Sequence, residues 1–183
     1  MALIDNIWFT YKSRIAAENR LKSNDFHSQA LLVWYALISA IGAIAGIVNS
    51  DYLGANTNFL SAMLAVALLV ISLWVTNQDW RGRAIKMREN HLELMHLKNK
   101  MTAGIISQSE AAEIYHKLLC ECENHTGYDF DFFRVFDSGT LTSNVPSWWV
   151  ITKTYAWRIF RFLTIVFLYS LPFLIYYLSA VIE

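Results

Sequence analysis

The sequence predicts an all-α integral membrane protein: a transmembrane helical hairpin, a cytoplasmic helix pair and a third, C-terminal transmembrane helix. Three observations carry this reading. Residues 30–48, 59–76 and 162–182 are runs without a single charged residue. Charged residues make up 16% of the chain, where a soluble domain carries about a quarter. All 15 Lys and Arg fall on one side of a bilayer when the chain is threaded through it by these runs.

Length sets the span assignment. A hydrocarbon core of about 30 Å needs roughly 20 helical residues at about 1.5 Å each, and all three runs are of that order. A buried hairpin in a soluble protein is the competing reading. It fails because three such runs in 183 residues leave too little polar sequence to cover them. Residues 1–28 do not read as a cleaved signal either. Asp5 and Glu18 precede the first run, and the segment lacks a short basic head followed by an apolar core.

The expected organisation is therefore an amphipathic cytoplasmic arm at 1–28, a two-span hairpin at 29–76, a cytoplasmic helical module at 77–158 and a third span at 159–183. In the arm, Ile4, Trp8, Tyr11 and Ile15 recur on one helical face, with Asp5 or Asn6 as the cap and a break at Ser23, Asn24 and Asp25 before the first span. Such an arm suits either the membrane surface or the inner module. Beyond Trp80 a charged helix is expected to about Met101. A turn at Gly104 to Ser107 then leads into a second helix, with Ser107 and Glu110 as a capping box. The third span contains Pro172, which cannot donate to the Leu168 carbonyl and is expected to kink the helix.

Orientation follows from the basic residues. Lys12, Arg14, Arg20 and Lys22 precede the first span, eleven more lie between the second and third, and the 49–58 loop and the C-terminal end have none. Short basic flanks stay cytoplasmic, so the N-terminus and residues 77–161 are expected inside and Glu183 in the periplasm. Arg14, Arg20, Arg81 and Arg83 are the expected inner rim facing lipid headgroups. The inner side is too evenly charged for direct nucleic-acid binding.

The spans carry no Asp, Glu, Lys, Arg or His, which argues against a proton- or ion-coupled transporter. Gly42 and Gly46 form a small-xxx-small step suited to close helix packing. In the cytoplasmic module Tyr128, Phe130, Phe132, Phe133 and Phe136 lie among acidic residues, either packing internally or forming a surface for a partner or signal. His91, His96, His116 and His125 read as solvated surface groups. Cys120 and Cys122 are too close for a disulfide framework and weak as metal ligands. With no phosphate loop, nucleophile elbow or zinc spacing, no enzyme activity, metal or cofactor is expected.

The arm with Tyr11-Lys-Ser-Arg-Ile-Ala-Ala-Glu-Asn-Arg-Leu21, the tight two-span hairpin and the helical segment starting at Trp80 resemble the SLATT family of small bacterial membrane effectors over about the first 125 residues. The third span departs from the simplest two-span form. The resemblance implies a bacterial inner-membrane protein in an anti-phage conflict system. Such a protein would form a homo-oligomer and permeabilise or depolarise the membrane when a cytoplasmic sensor is triggered, acting through membrane lipids. The alternative is a non-catalytic anchor or adaptor that recruits a nucleotidyltransferase, nucleotide sensor or reverse transcriptase to the inner face.

Overall fold

The computed structural model describes residues 3–48, 57–137 and 143–182. The chain is all-α, with helices α1 (Leu3–Val48), α2 (Thr57–Asn77), α3 (Trp80–Thr102), α4 (Gln108–Cys120), α5 (Gly127–Phe136) and α6 (Trp148–Ile182). It divides into two units. Unit 1 comprises residues 1–24 and 80–158, and unit 2 comprises residues 25–79 and 159–183. Most of the expected outer loop at 49–58 lies outside the described residues.

Helix α1 differs from expectation. It starts at Leu3, with Asp5 inside its first turn, and runs 46 residues without the expected break. No Gly or Pro occurs before Gly42, and the polar residues are absorbed locally: the Ser28 hydroxyl donates to the Asp25 carbonyl at 3.0 Å. Ser, Asn and Asp lower helix propensity only slightly, and packing on either side overrides them.

In unit 1 the arm is a core element. Ile7, Ala17 and Leu21 of α1 are fully enclosed. Ile7 packs with Leu94 and Leu97 of α3 and Ala111 and Leu118 of α4, while Ala17 and Leu21 pack with Ala84 and Met87. The α3–α4 turn is built by its backbone. Gly104 N donates to Met101 O at 3.1 Å and Ile105 N to Lys100 O at 3.0 Å, a Schellman closure that puts Gly104 at φ 67. Ser107 then caps α4 by accepting from Glu110 N at 3.2 Å. The complete reciprocal box lies where the sequence reading had none, at Thr126 and Asp129 of α5.

In unit 2, α2 ends where Gln78 N and Asp79 N close three-residue turns onto Val75 O and Thr76 O, with Asp79 left-handed at φ 44. Pro172 sits inside α6. The Leu168 carbonyl that it leaves without a helical donor accepts from Tyr35 Oη at 2.7 Å, and the next carbonyl, Tyr169, accepts from Trp34 Nε1 at 3.2 Å.

Candidate functional site

Unit 2 presents lipid-like surface. Three helices among the described residues are long and apolar enough to cross a membrane. Their side chains point outward unshielded: Ile47 is 85% exposed, Phe59 66% and Phe162 64%. In water a contiguous apolar surface of this extent would drive aggregation, whereas in lipid it is the solvated state. Gly42, Ala45 and Gly46 form the half-buried side of the first span, and Ile41, Ile44 and Ile47 its exposed side.

Unit 1 holds a buried polar network that sequence reasoning missed. Arg14 is completely enclosed rather than facing outward as rim. Its Nη1 donates to Leu118 O at 3.2 Å, and Asn90 Nδ2 donates to the same carbonyl at 2.7 Å. Arg14 Nε and Nη2 have no hydrogen-bond partner among the described residues. Burial pulls the Arg14 pKa below its usual value and pushes the nearby Cys122 thiol up. Arg14 falls on the Ile7 and Leu21 face of α1, about a quarter turn from the face of Ile4, Trp8, Tyr11 and Ile15, and nothing local reveals which groups enclose it.

Arg20 points at the buried Asp129, with Nε to Oδ1 at 2.7 Å and Nη2 to Oδ2 at 3.0 Å. Burial alone would raise the Asp129 pKa, but the hydrogen bonds from Arg20 and Thr126 outweigh it and hold the carboxyl below its ordinary range. Glu18, also buried, pairs with Lys22, and its Oε2 lies 3.3 Å from His91 Nδ1 without hydrogen-bond alignment. Burial lowers the pKa of His91, as it does for His125. These two histidines are half-buried, against expectation, while His96 and His116 are exposed. Arg83 reaches Glu123 at 2.8 Å on the surface, and Arg81 is exposed.

Much of the aromatic patch is spent on packing within unit 1. Phe133 is buried against Phe9 at 5.7 Å and Trp8 at 5.9 Å. Phe130 meets Phe9 at 5.9 Å, and Tyr128 meets Trp157 at 6.3 Å. Phe132 stacks near Phe136 at 4.6 Å, and Phe136 touches Tyr155 at 5.3 Å beneath the Arg158 guanidinium. Of the five, Phe136 keeps the most outward surface, at 39% exposed. Trp148 and Trp149, at 81% and 74%, are far more open.

Among the described residues no three His, Cys, Asp or Glu side chains are grouped to hold a metal ion. The arrangement defines a membrane-spanning all-α protein with a packed polar and aromatic unit outside the spans. Compared with known families, the chain matches the SMODS and SLOG-associating 2TM effector domain family 5 over residues 1–178, and it belongs to that SLATT family, which is linked to anti-phage systems. Domains of this family are non-catalytic membrane effectors. The match extends well beyond the 125 residues on which the sequence resemblance rested, and most of α6 lies within it. No curated protein and no solved structure matches the chain.

Proposed function

We propose that the chain is the effector that breaches the inner membrane: it oligomerises and permeabilises or depolarises that membrane when a sensor protein engages its cytoplasmic unit. The observation that carries this is that α1 and α6 each contribute residues to both units without interruption of the helix. A change among the contacts of Arg14, Glu18 and Arg20 therefore acts on the same continuous helix that forms the first span.

The basic asymmetry supports an N-terminus and a 77–161 module in the cytoplasm, with Glu183 in the periplasm. Arg81, exposed with Lys86 and Arg88 on α3, contacts headgroups, while Arg14 and Arg20 brace the rim from within unit 1. Gly42 and Gly46 serve close helix packing in the assembly. Phe136 with the open Trp148 and Trp149 receives the sensor.

Induced expression in bacteria with a membrane-potential dye tests the reading. Loss of potential on triggering is the expected result. Full polarisation, with a stable complex recovered by affinity pulldown, identifies an anchor or adaptor instead.

A further inference from the structure

Two polar groups of the first span close a gap in the third. Pro172 has no N–H, so the Leu168 carbonyl four residues earlier has no donor from its own helix backbone. The α6 hydroxyls nearby are engaged elsewhere: Ser170 donates to Phe167 O at 3.0 Å and Thr164 to Phe160 O at 2.9 Å. The donor is Tyr35 of α1, at 2.7 Å. Trp34 holds the same seam, with its indole N–H on Tyr169 O at 3.2 Å and its ring 5.8 Å from that of Phe173. Contacts from α1 thus fall on both sides of the proline.

A carbonyl at this depth has only two acceptable states, because hydrocarbon offers no donor. Either a protein hydroxyl covers it, or water does. We infer that Tyr35 is the stopper of a water path. When α1 and α6 part in the active effector, the Leu168 carbonyl takes water, and permeation starts at this seam. The inference rests on the proposed membrane-breaching function and assigns its first hydrated point.

A double-mutant cycle tests it in the full chain. Tyr35→Phe removes the donor. Pro172→Ala restores the helical N–H, so that Leu168 no longer depends on Tyr35. The four proteins (wild type, Y35F, P172A and Y35F/P172A) are induced in bacteria, matched by immunoblot of the membrane fraction, and read with a membrane-potential dye.

Y35F is expected to depolarise at a membrane level roughly fivefold or more below wild type, the scale set by leaving one buried carbonyl unpaired. In the P172A background the same substitution is expected to have no effect. An equal effect of Y35F in both backgrounds, or weaker depolarisation by Y35F, overturns the stopper. If the wild type at full induction leaves the potential intact even under conditions that trigger the defence system, the effector reading itself has failed. Thermal unfolding of the four detergent-purified proteins then tests the Tyr35 to Leu168 hydrogen bond itself: a drop in Tm for Y35F that vanishes with P172A supports it, and an equal drop in both backgrounds overturns it.

Discussion

Arg20 grips Asp129 with two hydrogen bonds, 2.7 and 3.0 Å long, while Oδ2 of the same carboxylate accepts from Thr126 N at 2.9 Å and Thr126 Oγ1 at 2.7 Å. One buried side chain therefore both caps α5 and ties it to α1. A second pair, Lys12 with Asp137, holds the other end of α5. Eight residues separate the anchors on each helix, and their order is reversed, so α5 lies antiparallel along α1 with Ala16 and Phe133 packed between the two clamps. A ten-residue helix is too short to persist in water alone, so α5 folds only as it docks.

Asp129→Asn is therefore expected to cost about 3 kcal/mol, because it leaves a charged guanidinium partly buried without its partner and weakens the cap together with it. Hydrogen exchange on the detergent-purified chain checks this. Amides of α5 should lose protection first, while those of α3 and α4 keep theirs. Uniform loss across unit 1 would contradict the docking argument.

Acid should destabilise unit 1. His91 and His125 have folded pKa values lowered chiefly by burial, from an ordinary value of 6.5. The unfolded chain therefore binds protons that the folded chain resists. Stability is held above about pH 6.5, falls as the pH drops below it, and levels off beneath the folded values. Around His91 the opposing charges are Glu18, which favours protonation, and Arg88 and Lys22, which oppose it. Thermal unfolding at pH 7.5 and 5.5 should show a lower Tm in acid, and His91→Gln with His125→Gln should flatten that difference.

Gly104 is required for its backbone conformation rather than for space. A Cβ built there meets nothing within 4 Å, yet φ is 67. Gly104→Ala should cost about 1 kcal/mol through left-handed strain alone, and Gly104→Asn less, measured by denaturant unfolding. Equal stability of the alanine variant and wild type would remove the Schellman turn as the reason for this glycine.

Gly42→Leu and Gly46→Leu place bulk on the half-buried side of the first span. Both should impair assembly in chemical cross-linking of native membranes, whereas Ile41→Leu and Ile44→Leu on the exposed side should leave it unchanged. Identical cross-linking patterns for all four variants would remove this face from helix packing.

The sequence by itself determined that three segments seek lipid, because transfer of apolar side chains and exclusion of charge are additive along a chain and need no knowledge of neighbours. It also marked the α3–α4 turn and the Ser107 cap, whose chemistry lies within a few residues of Gly104 and Ser107. Tertiary structure alone decided the rest. It ran α1 through Ser23, Asn24 and Asp25, enclosed Arg14 beneath the Leu118 carbonyl, turned most of the aromatic patch inward onto α1 and the first turns of α6, and brought Tyr35 to a carbonyl 133 residues away. A buried hydrogen bond depends on which donor and acceptor are brought face to face, and residue type or spacing does not carry that information across such separations.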